Sequence, residues 1–190
     1  NMMKNMLNAI AYLHENNIWN RDIKLESFFV FNPPDSKDAN NPLILLCNFE
    51  YAKVFEEGQK STEYIGTPEF MAPEIANKVP YNNSIDIWSL GITLFMMLTN
   101  QSPYPDFKTS PQECLKHVSR GEINYQILVN KNISNDAIEF IRKMCQIDPK
   151  QRITAIEATN DPWVLQSNID PNLAANVNLS EVEDYSSQAF

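Results

Sequence analysis

Met3, Met6, Leu7, Ile10 and Leu13 recur at three-and-four spacing, so residues 2–16 predict a helix with one apolar face. Phe28 to Phe31 and Leu43 to Cys47 are short apolar runs separated by the turn cluster that begins Asn32-Pro33-Pro34-Asp35, and together they predict a small hairpin. Residues 48–80 show neither the helical nor the strand period, and a loop of that length in a compact domain is usually functional or disordered. From Ser84 to Leu98 the chain is apolar almost all round, which predicts a helix buried at the centre of the domain. Further helices are expected over 111–119, 134–145 and from Thr154, where Thr154 and Glu157 have capping-box spacing. Ser134, followed by Asn135 and Asp136, suits a helix start by charge.

Composition narrows this picture. The chain has 190 residues, enough for one domain with a tail, and it can bury a real core with 43% hydrophobic residues. Twelve prolines against four glycines favour helices joined by proline-punctuated loops. The glycines, Gly58, Gly66, Gly91 and Gly121, are too far apart to form a Gly-rich phosphate loop within the chain. A net charge of -9 disfavours a nucleic-acid partner or an anionic membrane, because phosphates are repelled on average. Cys47, Cys114 and Cys145 lack C-x-x-C spacing and read as reduced thiols in a cytoplasmic compartment. No apolar run approaches the ~18 residues of a membrane span. Asn1 reads as a cut rather than a natural start, and residues 166–190, with Asp170, Glu181, Glu183 and Asp184 but no basic residue, read as a flexible acidic tail.

The chemistry centres on Asn20-Arg21-Asp22-Ile23-Lys24-Leu25-Glu26-Ser27, between the first helix and the first strand. A carboxylate there can accept a hydroxyl proton while a neighbouring ammonium steadies a transferring phosphoryl group. Taken alone, R-D-x-K is a weak signal that suits a solvated charge cluster better. Four more segments follow in order: Asn48-Phe49-Glu50, Gly66-Thr67-Pro68-Glu69-Phe70-Met71-Ala72-Pro73-Glu74, Asp86-Ile87-Trp88-Ser89-Leu90-Gly91, and Asp148 to Thr154. In this order and spacing, residues 1–165 resemble the C-terminal lobe of a eukaryotic protein kinase. The Tyr12-Leu13-His14 helix and the ending Asn160-Asp161-Pro162-Trp163 look most like the calcium/calmodulin-dependent and calcium-dependent Ser/Thr kinases.

The resemblance implies a mainly α fold, a helical bundle with a small β-hairpin, in which the N-terminal β lobe is absent from this chain. It implies ATP and Mg²⁺ as cofactors and a protein substrate or partner. Position by position, Asp22 matches the catalytic base, Lys24 the phosphate-steadying lysine, and Thr67 the substrate-loop threonine that hydrogen-bonds both. Phe29 matches the floor of the adenine pocket, and Glu26 an acidic position that meets a substrate arginine in basophilic relatives. Glu74 and Arg152 match a structural ion pair, and Asp86 a carboxylate that holds the catalytic loop from below. Arg21 ordinarily pairs with a phosphorylated residue three positions before the Gly-Thr, and that position here is Glu63, a permanent carboxylate. Ser61 and Thr62 read as exposed loop hydroxyls, Cys47 as a small buried hydrophobe beside the nucleotide pocket, and His14 and His117 as structural or solvated.

Both Mg²⁺-holding positions depart from the family pattern: the D-F-G aspartate is Asn48 and the catalytic-loop asparagine is Ser27. The glycine of the triplet is Glu50, and the H of H-R-D is Asn20, which removes a ring from the apolar spine that ends at Phe49. Glu50 would fill the phosphate site if it paired with Lys24. Three readings follow: a pseudokinase that signals by binding partners, a weakly active Ser/Thr kinase with Asp22 as base, or a truncated remnant.

Overall fold

The computed structural model describes residues 2–31, 43–105 and 110–166. Helix α1 (Met2–Glu15) buries Met3, Met6, Leu7, Ile10 and Leu13, the expected face. Strand β1 (Ile18–Trp19) follows, then the loop that carries Asp22, a 3-10 turn at Leu25–Ser27, and the antiparallel hairpin of β2 (Phe28–Phe31) and β3 (Leu43–Leu46). In the hairpin Phe28 faces Leu46 and Phe29 faces Leu45. Ile44 points inward, while Phe29, Phe31, Leu43 and Leu45 are exposed. The turn cluster from Asn32 and the acidic tail beyond Gln166 lie outside the described residues.

The long aperiodic stretch is built on short tertiary pairings rather than on elements with a readable period. Strand β4 (Lys53–Val54) pairs antiparallel with β1. Trp19 stacks on Phe55 with ring centroids 3.6 Å apart. Ser61 and Tyr81 exchange backbone hydrogen bonds of 3.0 and 2.9 Å. A 3-10 turn at Pro68–Phe70 then leads into α2 (Pro73–Ala76). Strands of two residues and a helix of one turn cannot display a period of two or 3.6.

Helix α3 (Ser84–Thr99) is buried without a break from Ile85 to Phe95. Its inward hydroxyls are satisfied along the helix and by its neighbour: Ser89 Oγ donates to the Phe70 carbonyl at 2.7 Å, and Thr93 Oγ1 to the Ser89 carbonyl at 2.9 Å. Complete burial of side chains such as Ile92 and Phe95 contributes roughly 1.5–3 kcal/mol each, so this helix organises the core. Around it lie α4 (Pro111–Arg120), α5 (Gln126–Asn130) and α6 (Asn135–Met144), with α3 packed on α5 and α6. Helices α7 (Ala155–Thr159) and α8 (Pro162–Gln166) close the bundle against α1.

Ser134 caps α6 by accepting from Ala137 N at 3.3 Å, and Thr154 and Glu157 form the reciprocal capping box of α7. Helices α2, α5 and α8 and strands β1 and β4 escape the sequence reading because each is short and, unlike the equally short α7 with its capping box or β2 and β3 with their apolar runs, carries no local signal. Their ends are fixed by packing. The architecture is mainly helical with few strands, compatible with a helical kinase-like lobe.

Candidate active site

Asp86, in the first turn of α3, is 1% exposed and holds the 20–22 loop from beneath. Its Oδ2 accepts from Asn20 N at 2.9 Å and its Oδ1 from Arg21 N at 2.8 Å. These bonds support a strained backbone, since Arg21 sits at φ 70°, a left-handed conformation that costs a non-glycine residue of order 1–3 kcal/mol. His14, from the end of α1, lies 2.9 Å from the same Asp86 Oδ2. The histidine is therefore a partner of the buried carboxylate and not a solvated side chain. The sequence carries no local sign of this contact, which spans 72 positions.

Gly66 lets the second wall approach. It adopts φ +100°, and a Cβ there would lie 2.7 Å from the Arg21 carbonyl oxygen. Across this contact Thr67 reaches Asp22: its backbone N–H donates to Asp22 Oδ1 at 2.8 Å and its hydroxyl to the same oxygen at 2.7 Å. Lys24 Nζ donates to Thr67 Oγ1 at 3.0 Å and lies 3.0 Å from Asp22 Oδ2. Asp22, Lys24 and Thr67 thus converge, with Asp22 buried and Lys24 partly exposed.

Asn48 completes the ring around Asp22. Its Nδ2 donates to Asp22 Oδ2 at 3.0 Å and reaches Ser27 Oγ at 3.4 Å. The amide orientation is fixed chemically, because its oxygen turned to the same place would face a carboxylate oxygen and a hydroxyl already committed as a donor. Ser27 Oγ donates to the Asp22 carbonyl at 2.9 Å. Asn20, fully buried, donates from Nδ2 to the Asn48 carbonyl at 2.9 Å and accepts from Asp22 N at 3.1 Å. The side chain at position 20 thus makes two hydrogen bonds, and Phe49 is 48% exposed.

Glu50 is exposed and does not pair with Lys24, whose ammonium goes to Asp22 and Thr67 instead. The positive φ of this triplet falls on Asn48, at 63°, rather than on Glu50. Cys47 is half-buried, with Sγ 3.2 Å from the Ser27 carbonyl, not the fully buried hydrophobe the sequence suggests. Phe29 and Glu26 are both exposed, Phe29 on the open face of the hairpin.

The outer parts of the site are tied by charge. Arg21 donates from Nε to the Tyr51 carbonyl at 2.7 Å and from Nη1 to Glu63 Oε2 at 2.7 Å. Lys53, which the sequence reading did not single out, donates to Glu63 Oε1 at 2.8 Å. These two cations, Lys53 first, bring the Glu63 carboxyl down to about 2. Ser61 is buried at the bridge to Tyr81 and accepts from Glu63 N at 3.2 Å, so of the two loop hydroxyls only Thr62 is exposed. Farther out, Arg152 holds Glu74 in a bidentate pair of 2.7 and 3.1 Å, donates to the Ser84 and Gln146 carbonyls, and lies 5.2 Å from the Trp88 ring centre.

The sequence pattern of the family described as "Protein kinase domain" matches residues 1–164. Human serine/threonine-protein kinase H1 is 32% identical over 169 residues, covering 86% of this chain and 38% of that protein. Calcium-dependent protein kinase 13 of Arabidopsis thaliana is 32% identical over 170 residues, 90% of this chain and 31% of the relative. Calcium/calmodulin-dependent protein kinase type I of Schizosaccharomyces pombe is 30% identical over 184 residues, 93% and 53% respectively. The chain thus spans about a third to a half of the length of these relatives. With a carboxylate, an ammonium and a threonine converging between a helix-anchored loop and a glycine-opened one, and the family pattern running almost to the end of the described helices, the chain belongs to the protein kinase domain family and is homologous to Ser/Thr kinases.

Proposed function

We propose that this domain is a catalytically impaired member of the Ser/Thr kinase group, a pseudokinase that signals in the cytoplasm by binding protein partners through its helical lobe. The observation that carries this reading is the occupancy of Asp22. Its Oδ2 accepts from the neutral amide of Asn48, at the position where the resemblance implies a metal-holding carboxylate, whereas its contacts with Thr67 and Lys24 are those the family pattern implies.

The residues present do not fit a phosphate-bridging Mg²⁺. That cation prefers charged oxygen ligands, whereas position 48 offers a neutral amide whose nitrogen faces Asp22, and Ser27 turns its hydroxyl proton to a carbonyl. Among the described residues no three His, Cys, Asp or Glu side chains gather to hold a metal ion. Nucleotide, if it binds, would lie against Phe29 and Lys24 with little help from the metal positions Ser27 and Asn48.

The second reading, an active ATP-dependent Ser/Thr kinase, is favoured by the intact Asp22, Lys24 and Thr67 geometry. In it Asp22 accepts the hydroxyl proton, Lys24 steadies the phosphoryl group, and exposed Glu26 meets a basic side chain of the substrate. Phosphorylation of a basic Ser/Thr peptide by the full chain with ATP and MgCl₂ separates the two. The expected result is no transfer above the level of Asp22→Asn. Transfer that disappears in Asp22→Asn would establish the enzyme instead.

A further inference from the structure

Positions 20, 22 and 27 of one loop and the distant position 48 meet in one closed set of hydrogen bonds. Every donor in it has an acceptor: Asn48 Nδ2 gives to Asp22 Oδ2, Ser27 Oγ to the Asp22 carbonyl, and Asn20 Nδ2 to the Asn48 carbonyl, while Asn20 Oδ1 takes the Asp22 N–H. The charges also balance, because Asp22 faces Lys24 and no second carboxylate enters the ring. An aspartate at position 48 would upset both balances. It would set a carboxylate oxygen about 3.0 Å from Asp22 Oδ2, where the amide nitrogen now stands, and two carboxylates at that distance cannot both ionise without an added cation. Asparagine also tolerates the left-handed backbone at position 48, φ 63°, better than most side chains.

We propose that Asn48, with Asn20 and Ser27, is a set of positioning residues that does by hydrogen bonding what a bound cation would otherwise do. It clamps the 48–50 triplet to the Asp22 loop and keeps that loop in its observed geometry with no metal. The inference rests on the reading above, that the site does not use a divalent cation. It adds that the substitutions are a matched set: Asn20 fixes the backbone of position 48 to that of Asp22, Asn48 fixes the carboxylate, and Ser27 holds the Asp22 carbonyl from the other side.

Thermal unfolding of the full chain in EDTA and in millimolar MgCl₂ tests it. The unsubstituted protein has the same Tm in both. Asn48→Asp, nearly isosteric, melts lower in EDTA by about 4 °C or more and regains part of the loss in MgCl₂. Asn48→Gly, which relieves the left-handed backbone and removes the side chain with its amide, melts lower in both media and does not respond to MgCl₂. If both variants are as stable as the parent in EDTA, the clamp is overturned while the impaired-kinase reading stands. A MgCl₂-dependent rise in Tm of the unsubstituted protein overturns the clamp and the metal-free site together. Peptide phosphorylation overturns only the impaired-kinase reading. Should the variants fail to fold, the carboxamide protons of Asn48 in the metal-free parent give the answer: slow exchange unaffected by MgCl₂ supports the clamp, and rapid exchange overturns it.

Discussion

At the residue scale, the geometry around Asp22 depends on backbone conformations that single side chains permit or forbid. Gly66 is the sharpest case, because both its φ of +100° and the 2.7 Å gap to the Arg21 carbonyl exclude a Cβ. Gly66→Ala is expected to lower stability by about 1–3 kcal/mol through strain alone and to move Thr67 away from Asp22. A urea unfolding midpoint reads the first effect; a midpoint equal to the parent's would show that the two loops can part freely. His14 makes a related point. Replacing it with alanine leaves one acceptor site of a 1% exposed carboxylate empty, and hydrogen bonds to charged groups contribute about 1.5–3 kcal/mol. His14→Ala should therefore destabilise the domain by about that amount in denaturant titration, whereas a solvated histidine would be neutral.

At the element scale, the segment between β4 and α2 is tied near its middle by charge. Glu63 joins it to both Arg21 and Lys53. Because the folded carboxyl titrates at about 2, below its ordinary value of 4.5, the folded state binds fewer protons than the unfolded chain between those values. The stabilisation is complete above about pH 4.5 and is lost as pH falls from there through about 2. The side chain is 46% exposed, so salt should weaken the effect. Melting curves of the parent and Glu63→Gln are expected to differ at neutral pH and converge on acidification, with a smaller gap in high salt; curves separated equally at all pH values would count against the pairing. Helix α7 offers a more local test. Thr154→Ala removes the capping oxygen that accepts from Glu157 N at 3.2 Å and should cost about 1 kcal/mol in thermal or chemical unfolding.

At the scale of the molecule, Arg152 and Glu74 join the segment that ends at α2 to the last helices. Both side chains are nearly inaccessible, at 0% and 5% exposure. Removing one partner strands the other charge in the interior, so Arg152→Met is expected to cost about 3–5 kcal/mol in equilibrium unfolding. Glu74→Met combined with Arg152→Met should recover much of that loss, since an apolar pair of similar volume avoids the desolvation of two charges. A double variant no more stable than the single one would mean that the Ser84 and Gln146 carbonyls, rather than the ion pair, set the cost. Beyond Asp86, helix α3 meets its buried hydroxyls without charge, because Ser89, Thr93 and Thr99 donate to backbone carbonyls.

Sequence alone marked the elements that carry a local signal and brought the candidate site residues forward. A three-and-four apolar period marks α1, an all-round apolar run marks α3, and local caps mark α6 and α7, because each of these signals is contained within a few turns of chain. The motif order likewise brought Asp22, Lys24, Thr67, Asn48, Asp86, Glu74 and Arg152 forward before any coordinates. Only the tertiary structure decided what those residues do to one another. That Asn48 gives its amide to Asp22, that His14 serves Asp86, that Lys53 shares Glu63, and that Glu50 leaves Lys24 alone are contacts across 10 to 72 positions. Such contacts depend on the angle at which loops cross a buried helix and on which polar groups remain unsatisfied there, and neither quantity has a period or a spacing to read along the chain.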